Sequence, residues 1–326
     1  MTLEDARAPI RTISDEVTKR PHIDHFHGKE AFAGAIAAFV TRFVCQPFDV
    51  LKIRFQLQVE PLGCHKSKYV SMPQAVRTIF RDEGVAGFWK GHMPGQLLSI
   101  VYGVTQFWAF EECKDYAKHL NLYHQNENIS NFVCGSMAGA LGTVTVTPID
   151  VVRTRLIAQD SHRGYPNTYR AFMTIGRREG IRGLYRGFYL SLIQVAPLTG
   201  INFMTYKFLC TTTVDVMNLH AKSEIPALIT FFNGAMAGLV SKAVVYPLDL
   251  AKKRMQIQGF GEHRKNFGKH FECTGIIDCF RVTIEREGYR GLFKGMWPSV
   301  LKTGITSAMN FCIYDNINLL IKNNSH

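Results

Sequence analysis

The chain has 326 residues, a formal net charge of +12 at neutral pH and a mean hydropathy of -0.03. Length alone allows two soluble domains and the hydropathy announces no membrane protein, while the charge admits nucleic acid, anionic lipid or an anionic substrate as partner. The distribution of charge excludes nucleic acid, because no Lys/Arg block is interleaved with base-stacking aromatics. The eight cysteines show no CxxC and no His/Cys spacing suited to zinc, so no disulfide framework, metal site or cofactor is expected and they read as buried thiols.

Residues 1–29 read as a flexible polar leader. Glu4, Asp5, Asp15 and Glu16 are mixed with its basic residues, so it is neither an acid-free amphipathic transit peptide nor an apolar signal core, and targeting information is expected inside the body of the chain. The run HIDHFH from His22 to His27 could hold a metal in principle, but its place in a polar leader favours a flexible tail.

Beyond the leader the sequence repeats itself. PFDVLKIR opens at Pro47, PIDVVRTR at Pro148 and PLDLAKKR at Pro247, at intervals of 101 and 99 residues. A second element keeps the register: EGVAGFWKG from Glu83, EGIRGLYRG from Glu179 and EGYRGLFKG from Glu287. A third precedes each proline by thirteen residues, where Gly34, Gly135 and Gly234 open GAIAA, GSMAG and GAMAG. A period of this length divides the chain into three tandem repeats, residues 30–125, 126–222 and 223–326.

Each repeat is expected as a long helix, a polar loop with a short amphipathic helix, and a second long helix, giving spans near 30–58, 92–120, 130–158, 188–213, 227–256 and 296–322. Residues 31–51 are long enough to cross a bilayer at about 1.5 Å per residue, yet Arg42 interrupts them. A helix that lines a watery cavity needs such polar residues on one face, which dilutes its hydropathy. Gly135 with Gly139 and Gly234 with Gly238 permit close helix approach. The motif prolines each remove a backbone donor and favour a kink.

These motifs resemble the mitochondrial carrier family, whose signature is P-x-[DE]-x-x-[KR]-x-[KR] followed by E-G-x-x-x-x-aromatic-[KR]-G, three times over; the resemblance covers residues 30 to 322. It implies an all-α membrane protein of six transmembrane helices in three pseudo-symmetric repeats. It further implies an inner-membrane location with both termini toward the intermembrane space, and a single central site in a functional monomer.

An acid three residues from a base shares its helix face, and as an intrahelical surface pair it would contribute about 0.3 to 0.5 kcal/mol. Threefold repetition favours pairing between helices instead. The resemblance implies a matrix gate made of Asp49 with Arg153, Asp150 with Lys252 and Asp249 with Lys52, braced by Gln56 and Gln256 where the second repeat has Ile157. It also implies a cytoplasmic gate at Phe110, Glu111 and Lys114, at Tyr206, and at Tyr314 and Asp315; with Lys207, Cys210 and Asn318 in the remaining slots, that gate holds at most one or two ionic pairs and closes less firmly. Lys90 and Gly91, Arg186 and Gly187, and Lys294 and Gly295 would hold cardiolipin, the alternative being plain surface charge.

An asymmetric substrate is expected at positions that differ between repeats. Arg42, Thr143 and Lys242 stand five residues before the prolines, each seven before its gate acid and about 10 Å deeper on the same face. Leu98, Gln194 and Lys302, followed by Ser99, Val195 and Thr303, occupy the slots that serve the family as substrate contacts. Arg42, Lys242 and Lys302 are the only Asp, Glu, Lys or Arg in the middle of the six expected spans, and three cations without a nearby acid call for an anion of two or more adjacent charges. Tyr102 and Gln106, with Gln194, Ser99 and Thr303, could orient its organic part, although a lone aromatic such as Tyr102 is more often helix packing than a ligand platform.

Charge alone leaves nucleotides, coenzyme A, inorganic phosphate and thiamine diphosphate open. The stretches PFDVLKIRFQLQ, FWKGHMPGQLLSIVYG, VSKAVVYPLDLAKKRMQIQGF and PSVLKTGITSAMNFCIYD are more similar to the thiamine pyrophosphate branch of the family than to its adenine nucleotide branch: RRRMMM is absent, and Gln194 and Val195 replace a Gly-Ile pair. That resemblance implies import of thiamine pyrophosphate by exchange with nucleotides. Its rivals are a carrier of nucleotides or another organic phosphate and a proton or anion leak. An enzyme is not expected, since no nucleophile, base and oxyanion set converges and no GxxxxGK[ST] occurs.

Overall fold

The computed structural model describes residues 28–60, 67–119, 127–160, 164–217, 226–261, 271 and 273–309, and no strand occurs among them. The polar leader, with the His22 to His27 run, lies outside them, as do Tyr314 and Asp315. The helices are α1 (Gly28–Leu57), α2 (Met72–Glu83), α3 (His92–His119), α4 (Glu127–Ala158), α5 (Thr168–Leu184), α6 (Phe188–Met217), α7 (Ala227–Gln256), α8 (Ile276–Glu287) and α9, described over residues 296–309. Long helices α1, α3, α4, α6, α7 and α9 start within a few residues of the six expected spans. The described residues fall into two units, one ending at Val40 and holding the opening turns of α1, the other beginning at Thr41, and the contacts below lie within the second.

Among the described residues two helices are long and apolar enough to cross a membrane by composition, Ser130–Ala158 and Leu228–Gln256, and the pair α5 and α6, bent by 50°, makes a third candidate. Polar positions dilute the remainder: α1 carries Arg42 at its midpoint and Asp49, Lys52 and Arg54 beyond it. Pro47, Pro148 and Pro247 lie inside α1, α4 and α7. Along their lengths α3 packs on α4 and α6 on α7. Gly142 makes room in the first of these contacts, since a Cβ there would stand 3.0 Å from the Tyr102 ring.

The three short helices are amphipathic in the same register. Their buried residues fall four apart, Ala75 and Ile79 on α2, Ala171 and Ile175 on α5, Cys279 and Thr283 on α8. One further turn brings Glu83, Glu179 and Glu287 onto the same stripe. Each stripe packs on the end of a motif helix: Ala75 and Ile79 with Leu51 and Phe55, Ala171 and Ile175 with Val152 and Leu156, Cys279 with Ala251. The ends of α1, α4 and α7 meet in another cluster of Val50, Ile53, Leu57, Ile157, Ala158 and Ile257.

A glutamine eleven residues after each motif proline clasps the polar loop that follows. Gln58 donates to the Tyr69 carbonyl at 2.9 Å and accepts from its amide at 2.8 Å; Gln159 does the same to Tyr165 at 3.1 and 2.7 Å. In the third repeat Gln258 donates to the Cys273 carbonyl at 2.9 Å and to its sulfur at 2.7 Å. These loop backbones thereby gain partners that neither helix supplies.

Candidate functional site

Acids and bases of the proline motifs meet between helices. Asp49 on α1 lies 2.7 Å from Arg153 on α4, Asp150 on α4 lies 3.0 Å from Lys252 on α7, and Asp249 on α7 lies 2.6 Å from Lys52 on α1. Each repeat gives its acid to the next, and the third gives to the first. Gln56 donates to Asp249 at 3.1 Å and Gln256 to Asp150 at 2.9 Å. The second repeat has Ile157 in the brace position, packed in the apolar cluster, and here Gln46 accepts from Arg153 at 3.2 Å while donating to the Lys90 carbonyl at 2.9 Å.

Close approach of the repeats depends on the last glycine of each EG motif. Gly295 has φ +81°, and a Cβ on it would stand 2.7 Å from the Lys52 carbonyl oxygen of α1. Gly91 and Gly187 face the Arg153 and Lys252 carbonyls in the same way, at 3.3 and 3.1 Å.

Beneath this ring lies a second set of ion pairs that sequence reasoning missed. Arg54, Arg155 and Arg254, two residues after the ring bases, are fully buried against Glu83, Glu179 and Glu287. Lys90 reaches Glu83 at 2.9 Å, Arg186 reaches Glu179 at 3.3 Å, and Lys294 pairs with Glu287. Their even register in the sequence was the available signal. Lys294 is 3% exposed and also donates to the Glu60 carbonyl at 2.6 Å, which does not fit the alternative of plain surface charge there.

Deeper along the helices, Arg42 donates to Ser99, and its buried Nε has no partner. Lys242 donates to Thr303 Oγ1 at 3.0 Å and to the Ser299 carbonyl at 3.4 Å. Both cations therefore rest on neutral acceptors. Lys302 does not: its ammonium stands 2.7 Å from Asp49 Oδ1, so the expectation of three cations without a nearby acid is corrected to two. Lys253, also missed, adds a second base to Asp150 at 2.8 Å and donates to Thr154 and Gln256 at 3.0 Å each. The ring thus carries Lys52, Arg153, Lys252, Lys253 and Lys302 against three acids.

Gln194, Val195 and Gln106 are half-buried on α6 and α3. Tyr102 lies against Gly142 with its hydroxyl 4.0 Å from the Cβ position of Gly139, and Val195 is 3.4 Å from that same position, so both pack on α4. Phe110, Glu111 and Lys114 lie on α3 and Tyr206 on α6.

Three helix pairs joined by a cyclic charge ring, with unneutralised cations above it, define a membrane carrier. The description "Mitochondrial carrier protein" matches residues 24–121, 124–215 and 223–325, and the chain belongs to that family. It is a multi-pass carrier of the mitochondrial membrane and not an enzyme. Among its relatives, the mitochondrial thiamine pyrophosphate carrier of Homo sapiens is 40% identical over 294 residues, covering 87% of this chain and 89% of the relative. That of Macaca fascicularis is 39% identical over 287 residues with the same coverage. Mitochondrial thiamine pyrophosphate carrier 1 of Coccidioides immitis (strain RS) is 34% identical over 301 residues, covering 89% and 92%.

Proposed function

We propose that this chain imports thiamine pyrophosphate across the inner mitochondrial membrane by alternating access, in exchange for nucleotides. The observation that carries the reading is the pair Arg42 and Lys242, two cations inside spanning helices whose hydrogen bonds go to neutral oxygens. A charge at that depth is costly without a counter-ion, and a diphosphate supplies one. The names of the relatives support thiamine pyrophosphate as the particular diphosphate.

The three inter-helix pairs act as the gate on the matrix side, with both termini toward the intermembrane space. Phe110, Glu111, Lys114, Tyr206, Tyr314 and Asp315 form the cytoplasmic gate. Diphosphate on Arg42 and Lys242 draws Lys302 from Asp49 and so weakens the ring, because a ligand shifts an equilibrium only by its differential affinity for the two states. Ser99, Thr303, Gln194 and Gln106 orient the organic part, with Tyr102 and Val195 shaping the wall. The backbone donors at Gly91, Gly187 and Gly295 hold cardiolipin phosphates. One central site makes the monomer the transporting unit.

The test is competition. Purified protein in cardiolipin-containing liposomes loaded with nucleotide takes up labelled thiamine pyrophosphate, inhibited better by unlabelled thiamine pyrophosphate than by ADP, phosphate or coenzyme A. Nucleotide exchange without thiamine pyrophosphate uptake would overturn the substrate and leave the ring standing.

A further inference from the structure

The third repeat departs from the other two at one buried contact. Three residues before each short helix stand Tyr69, Tyr165 and Cys273, and at its fourth position stand Ala75, Ala171 and Cys279. In the first repeat Tyr69 and Ala75 share a buried cluster, and in the second Tyr165 packs against the cluster of Ala171. The same geometry packs Cys273 against the cluster of Cys279. Where the first two repeats set a tyrosine in or against the cluster of an alanine, the third sets a thiol against the cluster of a thiol.

We propose that Cys273 and Cys279 form a redox-active dithiol, a thiol–disulfide exchange site for a low-molecular-weight disulfide of the glutathione type. Cys273 is half-buried and is the entry point, whereas Cys279 is fully buried and reached only by its neighbour. Hydrogen bonds from Cys279 and from Gln258 hold the Cys273 thiol below its ordinary range although burial opposes them, and the same contact pushes Cys279 up. Cys273 is thus the better thiolate and attacks first.

In the first step the Cys273 thiolate bonds to one sulfur of the small disulfide and expels the other half as thiolate. In the second, the Cys279 sulfur attacks Cys273, the mixed disulfide breaks, and the second half leaves. The protons of the two cysteines end on the two released thiols, and the two electrons lost by the protein reduce the small disulfide. Among the described residues no group of three His, Cys, Asp or Glu gathers here, which sets the pair apart from a zinc site. The product would staple the loop to α8, where Cys279 Sγ lies 4.0 Å from the Ala251 carbonyl of the ring-bearing helix α7.

Full-length protein in liposomes, reduced and then treated with glutathione disulfide, is alkylated with iodoacetamide and digested with trypsin. Both cysteines lie on the peptide 270–281, HFECTGIIDCFR. The expected product is that peptide two hydrogens lighter and unalkylated, returning to a doubly alkylatable form after dithiothreitol. Cys279→Ala installs the residue that the first two repeats carry, and its peptide is expected to keep one glutathione on Cys273. A wild-type peptide that is doubly alkylated, or that retains one glutathione as Cys279→Ala does, overturns the proposal.

Discussion

Lys302 reaches across to Asp49. Its ammonium stands 2.7 Å from one carboxylate oxygen, while Arg153 holds the other at 2.7 Å. A side chain placed by its motif register among the substrate contacts thus touches the ring directly, which gives the proposed site a mechanical link to the proposed gate.

Lys302→Gln removes that link and leaves Asp49 paired with Arg153. Hydrogen bonds to charged groups contribute about 1.5–3 kcal/mol, so exchange in liposomes should fall by about tenfold or more. The ring keeps its three pairs, so thermal unfolding in detergent should fall less than when a ring base is lost.

The three ring pairs are unequal. Lys252→Ala leaves Asp150 with Lys253 at 2.8 Å and Gln256 at 2.9 Å, whereas Lys52→Ala leaves Asp249, among the described residues, with the Gln56 donor at 3.1 Å. Breaking one side of a buried pair costs about 3–5 kcal/mol when nothing replaces it. Lys52→Ala is therefore expected to lower the unfolding temperature more than Lys252→Ala, measured by thiol-probe melting in the same detergent.

The Glu287 side chain is fully buried and serves both Arg254 and Lys294, while the Glu179 side chain is 18% exposed. Glu287→Gln strands two cations and should be the more damaging change, by about 3 kcal/mol or more. Yield of monodisperse protein and its melting temperature rank the two variants.

Acid should act through the lower set of pairs. Burial alone would raise the Glu83 carboxyl, but the hydrogen bond and charge of Arg54, with Lys90 beside it, hold it below the usual carboxylate range; Arg155 and Arg186 do the same for Glu179. Because the folded values are depressed, this stability is present above the unfolded value of about 4.3 and is lost as pH falls through the folded ones. Melting scans of wild type against the Glu83→Gln, Glu179→Gln double variant should show a loss below about pH 4.3 that the variant lacks.

The ring was legible in the sequence because its residues recur in register, and Asp49, Asp150 and Asp249 were assigned the bases they meet. The buried arginine pairs and the glutamine clasps also recur, eleven residues after the prolines in the case of Gln58, Gln159 and Gln258, yet their roles depend on which face of the short helix turns inward. Lys302 with Asp49 and Lys253 with Asp150 were not legible, since they break the repeat and follow from the packing of α9 and α7 against their neighbours. The Cys273 contact needed both, a repeat to locate it and a structure to bring Cys279 alongside.

The measurement closest to the central claim is uptake of labelled thiamine pyrophosphate by nucleotide-loaded liposomes containing wild type, Arg42→Ala or Lys242→Ala, with the amount of inserted, folded protein determined in each. If these two cations receive the diphosphate, both variants insert and melt near wild type while uptake falls about tenfold to a hundredfold. Near-normal uptake in either variant would remove that cation from the site and contradict the account.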